Sequence, residues 1–175
     1  SLDPAANLGL VVSGTQTYSG VVASAGNTAT YGTGTLVLDQ NNTFTGDFNI
    51  EAGSTLQLTG DNSGATGDVN INNGYLLADT ANLPGGVVNF GSGGTDPAIW
   101  QTSGTITPTI GSGDDIYWNA SGGFAATSSA LTVTANGGAE IDWSANGGFR
   151  GQKLMLGSPT STASVELTND IDLDD

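Results

Sequence analysis

The chain has 175 residues, 28 of them Gly and only 5 Pro, with 17 carboxylates against two cations, Arg150 and Lys153, and a formal net charge of -15. That charge argues against binding to nucleic acid or to anionic lipid heads, since both would be repelled. The lack of Cys and His removes disulfides, thiolate metal sites and the commonest general base.

Gly, Ser, Thr and Asn are abundant, yet Leu, Ile, Val, Phe and Trp recur at regular intervals, which a disordered chain does not require. No window carries the helical period, and no apolar run is long enough to span a membrane. Neither an export leader nor a finished end is visible, so the expectation is a single segment, residues 1-175, cut or processed from something larger.

In chain order, one series of short alternating runs is Gly34-Thr-Leu-Val-Leu38, Gly53-Ser-Thr-Leu-Gln-Leu58 and Gly74-Tyr-Leu-Leu-Ala78. Leu36, Leu56 and Leu76 recur at a 20-residue step. A second series interleaves with it: Phe48/Ile50, Val69/Ile71 and Val88/Phe90 share one parity and are predicted to face a core. Asn49, Asn70 and Asn89 share the other parity, so strands stacked in register would carry them as an outward amide ladder. Further on, Ile106, Ile116, Leu131, Ile141, Leu154 and Val165 begin runs whose alternate members lie 25, 25, 23 and 24 residues apart. The nonapeptide Ile116-Tyr-Trp-Asn-Ala-Ser-Gly-Gly-Phe124 returns as Ile141-Asp-Trp-Ser-Ala-Asn-Gly-Gly-Phe149.

A sandwich or barrel has short strands but no need to repeat its side chains at coil length. A solenoid does, because each residue packs on its counterpart one rung away. The expectation is an all-β parallel β-helix (β-solenoid) of roughly eight coils, each of roughly 20–25 residues.

Gly34-Thr-Leu-Val-Leu-Asp-Gln-Asn-Asn-Thr-Phe-Thr-Gly46, continuing through Asn49-Ile-Glu-Ala-Gly-Ser-Thr-Leu-Gln-Leu58, resembles the autotransporter-associated β-strand repeat, and Thr17-Tyr-Ser-Gly20 is similar to another copy of its turn. The resemblance implies a right-handed β-helical passenger exported to the bacterial surface or beyond, held at the outer membrane through a region outside this chain, and serving as a stalk or adhesin. Expected partners are then a host-surface glycan or protein, or another copy of the chain meeting end rung to end rung in a filament.

Candidate chemistry is sparse. Trp118 and Trp143 share the parity of Ile116 and Ile141 and read as core aromatics before a sugar-stacking platform. Phe124 and Phe149 read as a second core ladder. Trp100 interrupts the repeat and is the expected exposed aromatic. Gly91-Ser-Gly-Gly-Thr-Asp96 and Gly111-Ser-Gly-Asp-Asp115 are similar to calcium-binding turns of another solenoid class, but ordinary Gly/Asp turn chemistry accounts for them. Asp170, Asp172, Asp174 and Asp175 read as a solvated edge. Asp114 and Asp115, as neighbours on a strand, point to opposite faces, which argues against a glycosidase pair. The expectation is a protein with no enzymatic activity, no cofactor, and no catalytic or metal-binding residue.

Overall fold

A computed structural model describes residues 6–91, 98–143 and 153–173. Alternation in the sequence becomes alternation in burial. Along Ser54–Leu58 the first, third and fifth residues are buried and the other two half-exposed, and Gly74–Ala78 repeats the pattern. Such segments hide one face and must stack to cover it.

They stack as two parallel sheets. One comprises β1 (Leu8–Val12), β3 (Thr28–Gly32), β5 (Phe48–Ile50), β7 (Val69–Ile71), β9 (Val88–Phe90) and β11 (Ile116–Trp118). The other comprises β2 (Thr15–Tyr18), β4 (Thr35–Leu38), β6 (Ser54–Leu58), β8 (Gly74–Ala78), β10 (Ala98–Ile106), β12 (Gly122–Val133) and β14 (Leu154–Leu156), with β15 (Val165–Leu167) on the far half of β12. β13 (Ile141–Asp142) pairs with β16 (Ile171–Asp172) in a separate sheet. Through β12, successive strands alternate between the two large sheets, so the chain winds as a β-solenoid.

The coils are fewer than the expected eight: the first sheet's six strands span about five turns. The early step holds at 20 residues, as Leu8 pairs with Thr28, Thr35 with Thr55 and Thr55 with Tyr75. It lengthens where Ile99 pairs with Tyr75 and Gly123 with Ile99, and again where Met155 pairs with Gly123 and Val165 with Leu131. Longer coils consume chain without adding rungs.

The nonapeptide repeat is also not a pair of neighbouring rungs. Ile116 pairs with Val88, whereas Ile141 pairs with Ile171. The reason lies in residues 107–115, which fold back so that Ile110 bridges to Ile116 and occupies the next place on β11. Asn136 then covers Ile110, its Oδ1 accepting the Ile110 N–H at 2.7 Å. Trp118 is buried and Trp143 is half-buried against the core, while Phe149 lies outside the described residues.

Register builds the core as columns. Leu36, Leu56, Leu76, Trp100 and Phe124 follow one another across the second sheet. Opposite them run Ile50, Ile71, Phe90 and Trp118. Burying one such leucine stabilises the fold by about 1.5–3 kcal/mol. Where the column turns aromatic, small neighbours make room: a Cβ at Gly122 would press on Phe90. Phe90 and Trp118 then meet edge to face with centroids 4.7 Å apart, and both rings contact Phe124.

Polar columns bind the corners. The buried Asn42 and Asn62 are 20 residues apart. Asn62 Oδ1 accepts from Asn42 Nδ2 at 2.7 Å and from the Asn42 N–H at 3.2 Å, while its own Nδ2 donates to the carbonyls of Gly60 and Asn82. Asn42 Oδ1 accepts the Val22 N–H at 2.8 Å. Each carboxamide thus satisfies backbone groups that a turn leaves unpaired. At another corner Gly46, Gly67 and Gly86 are stacked so closely that a Cβ on Gly67 would collide with the Gly46 carbonyl, and one on Gly86 with that of Gly67.

Two substitutions test this account. Asn62→Ala strands several buried partners and is expected to cost about 3 kcal/mol in urea unfolding, whereas Asn70→Ala on the half-exposed face should cost less than about 1 kcal/mol; equal costs would refute a special role for the buried corner. Ala52, exposed with φ 56°, occupies the left-handed region, so Ala52→Gly should stabilise by about 1 kcal/mol in the same measurement.

Candidate functional site

Because the inner face of every regular rung is consumed by the core, anything that recognises a partner lies on the outer faces and corners. On the first sheet Asn49, Asn70 and Asn89 face outward in register. Asn70 Nδ2 donates to Asn49 Oδ1 at 3.0 Å, and Asn89 Nδ2 to Asn70 Oδ1 at 2.7 Å, so the expected ladder forms. The amides bond chiefly along their own column, which holds neighbouring coils together.

Carboxylates are arranged in the same way. Asp47 Oδ1 accepts the Asp68 N–H at 3.2 Å, and Asp68 Oδ1 the Val87 N–H at 2.8 Å. Asn27 Oδ1 does the same for Asp47 one rung earlier. The side chain of Gln40, then the Ser19 hydroxyl, hold the Asp39 carboxyl below its ordinary range, and the Ser63 N–H does so for Asp61. These acids reach solvent, and most of their bonds tie the turn of one coil to that of the next. Asp115 Oδ2 accepts from the Thr109 N–H at 2.8 Å and from the Thr109 hydroxyl at 2.9 Å, securing the turn that leads into β11. Asp114 and Asp115 are both exposed. No group of three or more metal-binding side chains occurs among the described residues.

Trp100 departs from expectation. It is 2% exposed, and its Nε1 donates to the Ala78 carbonyl at 2.9 Å. Register explains the burial: Trp100 pairs with Leu76 on one side and Phe124 on the other, so it continues the leucine column after a lengthened coil. The aromatic expected at the surface is therefore a core residue. Asp170 and Asp172 are exposed, as expected for a solvated edge; Asp174, Asp175, Arg150 and residues 92–97 of the first Gly/Asp turn lie outside the described residues.

Two open clefts flank the turn at 79–84. One, about 380 Å³, has Trp100, Val88 and Ile106 in its lining with Pro84, Pro108 and Asp115. The other, about 450 Å³, is bounded by Gln57, Leu77, Asp79, Ser103, Thr127 and Ser128. Neither was legible beforehand, since each joins residues from at least three coils. The buried Asn corner, by contrast, had a signal in the sequence: Asn42, Asn62 and Asn82 recur every 20 residues.

No helix among the described residues is long and apolar enough to cross a membrane. Comparison with curated proteins and with solved structures returns no match. The family model described as the passenger-associated-transport-repeat matches residues 31–58 and again residues 54–78. Those spans hold β4, β6 and β8, the most regular rungs of the second sheet. Such repeats point to an extracellular or surface location. Two repeat matches on a β-solenoid frame make residues 31–78 similar to the repeats of autotransporter passengers and support a passenger-type segment.

Proposed function

We propose that this segment is a stalk: a non-catalytic spacer in a bacterial surface or secreted passenger that carries an adhesive region outward, joined to the outer membrane through another part of the protein. The observation that carries the reading is the unbroken register of the first sheet, six strands stacked side by side. Strands about 4.8 Å apart put the backbone hydrogen bonds along the solenoid axis, so stretching or bending the rod must strain many of them together. Stiffness follows from register, and length from coil number.

The outer surface supports the same role. Half-exposed Asn and Asp residues keep a repetitive β face hydrated, and the charge of -15 opposes lateral association between neighbouring copies. Glycan or protein recognition is the second reading, and the second cleft, with its hydroxyl and amide lining, is the feature that favours it.

A spacer tolerates loss of a whole coil but not of half a coil. Tyr18 pairs with Leu38, so deleting residues 19–38 joins Tyr18 to Asp39 with register preserved. The full passenger lacking those residues is expected to display its distal region on cells, with cooperative β unfolding retained in the isolated segment. Deleting residues 19–28 should instead detach the first coil and lower the stability of the segment, because β1 and β2 then reach the next strands half a coil out of step. Loss of distal display in the one-coil deletion, with folding intact, would overturn the spacer role.

A further inference from the structure

The outer face of the second sheet changes character at one place. Across β4, β6 and β8 its outward residues are Thr35, Thr55 and Tyr75 in one row and Val37, Gln57 and Leu77 in the next, each one rung from its neighbour and half-buried. One rung further, at Ile99 and Gln101, the same face is closed. Both residues are buried. Gln101 Nε2 donates to Ser158 Oγ at 2.6 Å and to Thr160 Oγ1 at 3.0 Å, beneath the 157–163 segment. That cover is tied down again by the Gly157 N–H to the Phe124 carbonyl and by the Thr162 hydroxyl to the Thr127 carbonyl. The face is therefore a shallow track with a closed end.

Beside that end the strand pairing is irregular. The register of β10 against β12 shifts between Thr102 and Gly104. Ser103, Thr127 and Ser128 form one side of the cleft of about 450 Å³, with Gln57 and Leu77 on its track side and Asp79 at its lip. The Thr102 hydroxyl donates to Asp79 Oδ1 at 3.3 Å, which steadies the carboxylate.

We propose that this cleft and the track below it bind a short, linear, uncharged oligosaccharide laid along the solenoid axis. Hydroxyls and a primary amide both donate and accept, as sugar hydroxyls do. Leu77 and Tyr75 supply small apolar areas for the C–H faces of the rings. The rung spacing of about 4.8 Å is close to the length of one pyranose unit, so successive sugars meet successive rungs. The cleft lining holds one carboxylate and no cation, and the chain as a whole repels anions, which favours neutral over acidic sugars. An extended peptide is the poorer occupant: it gains affinity by adding to a free strand edge, whereas β4, β6 and β8 are each paired on both sides. Contact with a shallow face is weak singly and gains strength from many copies on one cell.

The inference deepens the recognition reading and stands apart from the spacer role, which an empty cleft would leave untouched. Titration calorimetry of the intact segment with maltotriose, cellotriose and chitotriose, with sialyllactose as the acidic comparator, tests it. Saturable binding of at least one neutral trisaccharide is expected, weakened roughly tenfold by Gln57→Ala through loss of a hydrogen-bonding partner and blocked by Ser128→Trp. Ser128 is exposed, so its replacement leaves the core intact, and an unchanged urea midpoint verifies folding. The proposal is overturned if no neutral trisaccharide saturates, if both variants bind as the parent does, or if sialyllactose binds best.

Discussion

Register between successive coils is the constraint on which the rest of this molecule depends. In a parallel stack each strand is hydrogen-bonded to the one a coil earlier and a coil later, so one residue's position is also its counterpart's. Leu36, Leu56 and Leu76 fall in one column for that reason, and so do Asn49, Asn70 and Asn89. A slip of one residue would turn the leucines outward and the asparagines into the core. The leucines therefore enforce register in the second sheet from its core side, and the asparagines do so in the first sheet from its outer side.

Buried polar groups sharpen that register where apolar packing is indifferent to it. Asn42 and Asn62 are fully enclosed at a corner, and their carboxamides meet specific backbone groups of the coils above and below. Thr30 and Ser54, also buried, share a hydrogen bond of 2.8 Å across the core between the two sheets. A hydrophobic column can slide with modest loss, but a misregistered carboxamide strands itself and its partners. Regular coils then leave little on which recognition can be built, because their inner faces are packed and their outer polar groups are largely committed to one another. Irregularity supplies the exceptions: the register shift between β10 and β12 lies beside the cleft at the edge of an otherwise regular face.

Much of this frame was legible in the sequence. The inward parity of Phe48, Ile50, Val69 and Ile71, and the outward parity of the interleaved asparagines, follow from the alternation of strand side chains alone. Burial of Trp118 was readable from its neighbour Ile116. Trp100 was not readable in the same way, since the 20-residue step had lengthened before it and its membership of the leucine column was hidden. The paired nonapeptides misled for a related reason: identity of sequence at a fixed interval does not ensure adjacency when residues 107–115 insert a further rung on β11.

By itself the sequence determined the class of fold, the faces of its strands, the asparagine ladder and the passenger-type repeats, because these rest on parity and on a constant step, both properties of short stretches of chain. Tertiary structure alone decided the number of turns, the burial of Trp100, the separation of Ile116 from Ile141 and the existence of the corner cleft. Those depend on which distant strands pair once the coil length varies, and pairing between distant strands is settled by packing and by hydrogen bonds that no local pattern contains.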